Sequence, residues 1–241
     1  MWRTLHSEWG KTWSVRAPWI CLLTTVALVV ITAMSLANDF VYGISIDEVP
    51  ADARMPMMDA VGPAVLFGQV AFAAFAMQLV TAEYSTGEIR STLRGQPDRT
   101  TVVAAKSLIA AVCGLAVGAA SGTLAAGTTR LILADNLASP ESYPAVALRC
   151  GLLMAVVGIL VVAVGALLRN AVATLVTAFA VLIGTLVLPS GLNGWFPGEA
   201  GSTFLADDAE PYAGPVGLLV VAVWGVLFLG LGLWSANRRD A

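Results

Sequence analysis

A metal centre or an acid-base pair needs histidines, cysteines or carboxylates that a fold can bring to one place. This sequence offers one histidine, His6, and three cysteines, Cys21, Cys113 and Cys150, with no CxxC spacing among them. The thiols sit in or beside apolar runs, where a cysteine behaves as a small buried hydrophobe. No disulfide framework, metal site or catalytic residue is expected. A phosphate cradle would read GxxxxGK[ST]; the stretch Ser85-Thr86-Gly87-Glu88 lacks both the second glycine and the lysine. The chain is therefore not read as an enzyme: it is expected to hold no cofactor and to hydrolyse no ATP by itself.

The residues left to carry function lie between Glu83 and Lys106, the longest interior segment that is neither apolar nor acidic. Ser85 and Glu88 have capping-box spacing, in which each side chain satisfies a backbone N–H at a helix start. Gly95 suits a left-handed closing position and Pro97 blocks continuation. The spacing predicts a short helix over 85–94, with Ile89 and Leu93 on one face and Arg90 and Arg94 on another. Alone in water a helix of that length is unstable, so it must be held at its ends and docked. An apolar pair with a basic flank fits a groove on a soluble partner; an ordinary solvated loop is the plainer alternative.

The elements around that stretch follow from composition. Of 241 residues 58% are hydrophobic and 12% charged, where soluble domains carry roughly 25% charged, and the mean hydropathy is +0.80. An ordinary soluble globule is excluded. An all-α membrane protein is expected, one transmembrane domain with spans at 19–37, 61–81, 107–129, 148–168, 171–188 and 216–236, each near the ~20 residues a bilayer requires. Residues 1–17 read as an interfacial amphipathic helix rather than a cleavable signal, with Trp2, Leu5, Trp9 and Trp13 in one stripe. Residues 189–215 mix Trp195, Phe196, Phe204 and Leu205 with glycine, proline and an acidic group, Asp207, Asp208 and Glu210, and read as an extracellular or re-entrant segment. In the third span Ala110, Gly114, Gly118, Gly122 and Ala126 repeat every four residues. That stripe permits close helix packing, within the chain or between subunits.

Orientation follows from the basic residues. Arg3, Lys11, Arg16, Arg90, Arg94, Arg99, Lys106, Arg169, Arg238 and Arg239 fall on one side of the six spans, and only Arg54, Arg130 and Arg149 on the other. The positive-inside rule makes both termini and the 85–94 stretch cytoplasmic, in a plasma (inner) membrane. No ionisable residue lies in the middle of a span, which disfavours ion-coupled transport and proton relays.

Glu83-Tyr84, Gly87, Ile89, Arg90, Leu93, Pro97, Arg99 and Lys106 together resemble the cytoplasmic signature of ABC-2 type transporter permeases, the membrane subunits of ATP-binding cassette exporters. The N-terminal segment with Glu8 and Lys11, and Arg238-Arg239-Asp240 after the last span, resemble the same family. The resemblance implies that Glu83, Ser85, Gly87, Glu88, Ile89, Arg90, Leu93 and Arg94 form a coupling surface seated on a separate ATPase subunit. It implies a second permease subunit, identical or not, two ATPases, and outward movement of a hydrophobic or amphipathic substrate. Glu88 stands where the family often has threonine. The expected partners are thus the ATPase, the second permease subunit and the lipid bilayer, with no nucleic acid. Two other functions compete: a secondary transporter or channel not driven by ATP, and a non-transporting membrane scaffold or sensor.

Overall fold

The computed structural model describes residues 2–86, 99–139, 142–187, 193–206 and 211–239. A short helix, α1 (Trp2–Trp13), turns into α2 (Ala17–Ser45), where Pro18 occupies the first turn and its missing N–H costs nothing. Then come α3 (Met57–Thr86), α4 (Arg99–Leu137), α5 (Tyr143–Leu168) and α6 (Ala171–Leu182). The order closes with α7 (Pro197–Ala206) and α8 (Gly214–Arg239). Among the described residues five helices, α2, α3, α4, α5 and α8, are long and apolar enough to cross a bilayer, so the architecture is that of a multi-pass helical membrane protein.

The helices outrun the apolar segments. α4 has 39 residues where hydropathy alone marks 107–129, because the backbone ladder continues wherever nothing breaks it, apolar or not. The predicted 171–188 span differs in the other direction. Regular α-helix lasts 12 residues, to Leu182, followed by a 3₁₀ turn at Gly184–Val187. Twelve residues rise only ~18 Å, against a hydrocarbon core of ~30 Å. α7, from the 189–215 segment, packs against α3, α5, α6 and α8 at that same end. Its Pro197, Gly198, Ala200, Gly201, Phe204 and Leu205 are all buried.

α4 and α5 make the tightest contact in the bundle, and glycine on both sides explains it. A Cβ at Gly114 would lie 2.6 Å from the Met154 carbonyl oxygen, at Gly118 2.5 Å from that of Cys150, and at Gly122 2.6 Å from Cys150 Sγ. From the facing helix, a Cβ at Gly151 would come 2.8 Å from the Leu115 oxygen and at Gly158 3.0 Å from that of Ala110. The small-residue stripe of α4 therefore faces α5 of the same chain. Leu153, Met154, Val157, Leu160 and Val161 of α5 fill the centre of the core.

The two ends of the bundle differ in chemistry. At the end where α3 begins and α4 stops, Met55 N–H donates to the Leu137 oxygen at 2.9 Å and Ser139 N–H to that of Met55 at 3.1 Å. Trp195, Phe196, Tyr212 and Trp224 form a ring-on-ring cluster there, with Trp224 Nε1 donating to the Trp195 oxygen at 2.8 Å. At the other end lie α1, the close of α3, the start of α4 and the α5–α6 turn, and there the buried charges Glu8, Glu83 and Lys106 gather.

Candidate functional site

An interfacial helix is expected to turn its apolar stripe to the membrane and keep its charged side chains for water or headgroups. α1 in addition buries a polar stripe in the bundle. Thr4, Glu8 and Thr12, one per turn, are buried, whereas Trp2 and Trp9 are exposed. Trp2 and Trp9 of the aromatic stripe point outward, Leu5 and Trp13 are half-buried against the core, and the polar stripe points into protein. Trp13 packs on Trp19 of α2 with ring centroids 4.7 Å apart, fixing the turn between the two helices.

The polar stripe finds its partners in α3 and α4. Glu8 Oε2 accepts from Lys106 Nζ at 2.6 Å, and Glu8 Oε1 from Lys11 Nζ at 2.7 Å. Glu83 Oε1, in the last turn of α3, accepts from Lys11 at 2.9 Å and lies 3.3 Å from Lys106 Nζ. Lys106 also donates to the backbone oxygen of Leu79 at 2.6 Å. All three ammonium hydrogens of Lys106 thus have an acceptor within reach. Among the described residues, two acids and two lysines form this cluster, and their charges balance.

Burial makes this ring consequential. Glu8, Glu83 and Lys106 are 3%, 6% and 5% exposed, and each buried ion costs several kcal/mol unless its partners hold it closely. Burial alone would raise the Glu8 pKa; the Lys106 charge and hydrogen bond, with those of Lys11, outweigh it and hold the carboxyl below its ordinary value. Burial would likewise lower the Lys11 pKa, but hydrogen bonds to Glu8 and Glu83 raise it instead. Both groups are held charged. The arrangement ties α1 to the last turn of α3 and an early turn of α4.

A second fastening lies beside the first. Arg169 ends α5 in the left-handed conformation, φ 54°, with its N–H on the Gly165 oxygen at 2.8 Å. Its guanidinium stands 5.8 Å from the centre of the Tyr84 ring, a cation–π contact on the neighbour of Glu83. Asn170 then caps α6, its Oδ1 accepting from Ala173 N–H at 2.9 Å.

Of the residues expected at the coupling surface, Glu83 is in the ion ring. α3 runs on through Ser85 and Thr86, so Ser85 belongs to its last turn, two residues into the stretch predicted as a separate helix. Gly87, Glu88, Ile89, Arg90, Leu93 and Arg94 lie outside the described residues. Glu8 and Lys106 were visible as flanking charges, but no spacing rule links positions 98 residues apart in sequence. The i, i+4, i+8 run Thr4-Glu8-Thr12 was the available signal for a buried polar face. Among the described residues no three His, Cys, Asp or Glu side chains gather as metal ligands would. No family model, curated protein or solved structure matches the chain.

Proposed function

We propose that this chain is the membrane subunit of an ATP-binding cassette exporter of the ABC-2 type, with the 85–94 stretch as the helix on which a separate ATPase acts. In this reading the chain crosses the plasma (inner) membrane six times, the short α6 with its 3₁₀ extension counting as the fifth crossing. Both termini are cytoplasmic, α1 lies along the inner surface, and a second permease subunit completes the substrate path. ATP-driven closure of the ATPase pair would shift the docked stretch as a rigid body and tilt α3 and α4, changing the cavity between subunits.

The observation that supports this most is the ion ring. Residues 87–98 connect α3 to α4, and the ring ties Glu83 on one stem to Lys106 on the other, with Glu8 of α1 between them. A push on a loop with unfastened stems is lost in bending. With the stems tied, it moves two spanning helices and α1 together.

The test is Ile89→Asp with Leu93→Asp. The double variant should insert normally, lose the copurifying ATPase and lose substrate-stimulated ATP hydrolysis. Retention of the ATPase at the wild-type ratio would overturn docking at this site. Substrate flux in proteoliposomes lacking any ATPase would favour the secondary-transport reading instead.

A further inference from the structure

Drawn onto the bundle by its polar face, α1 stands off from α4 on its tryptophan side. Between them lies a groove of about 220 Å³. Trp2, Leu5 and Trp9 form one wall; Leu108, Ile109 and Val112 form the other. His6, itself exposed, completes the lining. Ile109 is 1% exposed and makes the floor, while Leu108 and Val112 are 42% and 48% exposed and open outward.

What covers this groove follows from where it leads. Leu108, Val112 and Leu115 are exposed in one line down α4, the spacing of a single helix face. The groove therefore runs into the apolar flank of a helix long enough to cross a bilayer. Water gains nothing there, since an apolar recess gives it no partners. Indole rings on the mouth side match the headgroup level that tryptophan prefers. Charge points the same way. Residues 1–17 carry three cations, Arg3, Lys11 and Arg16, against one acid, Glu8, so the segment is basic by sequence.

We propose that the groove holds one acyl chain of an anionic phospholipid, whose headgroup lies beside His6 on the basic N-terminal segment. The lipid fills the side of α1 opposite the ion ring, so the helix is held by charge within and by hydrocarbon without. This requires only that the long helices lie in a bilayer, and it stands or falls independently of the ATPase partner.

The experiment is a lipid titration of the full-length, delipidated protein in mild detergent, read by native mass spectrometry. Phosphatidylglycerol should add as one saturable lipid per chain, tighter than phosphatidylcholine. Val112→Phe fills the groove and should weaken that binding by about tenfold, the factor that roughly two displaced methylenes carry. Trp9→Ala removes a wall and should weaken it as well, which keeps the test open if the bulkier variant folds poorly. Leu124→Phe, at another exposed position on α4, should bind as wild type. Uptake that rises without saturation, equal affinity for phosphatidylcholine, or a saturable site untouched by both groove variants would each overturn the proposal.

Discussion

Lys106 is the residue on which the charged end of the molecule turns. It contacts Glu8, Glu83 and the Leu79 carbonyl at once, and it supplies the largest influence that keeps the Glu8 carboxyl ionised. Lys106→Met keeps the length of the stem and removes the charge, leaving two acids to share Lys11. At neutral pH the variant should lose about 3–5 kcal/mol, the usual cost of stranding a buried ion. The acid side of the curve gives the sharper expectation. In the wild type the Glu8 pKa is lowered from 4.5, so its contribution is complete above that value and fades as pH falls through the lower folded value. Without Lys106 burial takes over and raises the pKa, so protonation relieves the variant. The gap in thermal midpoint between variant and wild type should therefore shrink from about pH 7 to about pH 5. A gap that widened over that range would show that Lys106 does not govern Glu8. The sequence displayed these charges but not their meeting. The tryptophan stripe of α1 was legible as an interfacial face, but nothing in the spacing said that Thr4, Glu8 and Thr12 would be buried in the bundle.

Among the elements, the α4–α5 pair carries its own prediction. Gly118 and Gly127 both sit in α4, yet their surroundings differ. A methyl at Gly118 would meet the Cys150 carbonyl oxygen at 2.5 Å and the Gly151 Cα at 2.9 Å, whereas one at Gly127 would meet nothing within 4 Å. Gly118→Ala must push two backbones apart and should lower the thermal midpoint. Gly127→Ala meets open space and gains helix propensity of about 1 kcal/mol, so it should raise it. Equal and small effects at both sites would show that α4 and α5 are not in backbone contact. The repeat of small residues was legible from spacing alone. Its partner was not, because any helix can receive such a stripe; the facing Gly151 and Gly158 of α5 decide it. Helix ends were legible least. Hydropathy marks where apolar side chains stop, while α2, α3 and α4 run on past those points to Ser45, Thr86 and Leu137.

For the molecule as a whole, the proposed orientation makes an expectation about sidedness. The 46–56 connection and the 87–98 connection are separated by α3 alone, so if α3 crosses the bilayer they face opposite compartments. A cysteine introduced as Gln96→Cys should react with an impermeant maleimide only from the cytoplasmic side, and Asp47→Cys only from the outside. The native thiols are poor competitors, Cys113 and Cys150 being buried and Cys21 half-buried. Labelling of both sites from one compartment would invalidate the orientation and the coupling role with it. The far end of the bundle has a consequence of its own. There α6 gives out after 12 residues, and α7 is wedged in beside it, with Gly198 so near that a methyl would lie 2.5 Å from the Leu182 oxygen. That wedge fills the end where α6 falls short. On the proposed exporter reading a solute would pass along the chain's flank, with the second subunit of that reading as the other wall of the seam.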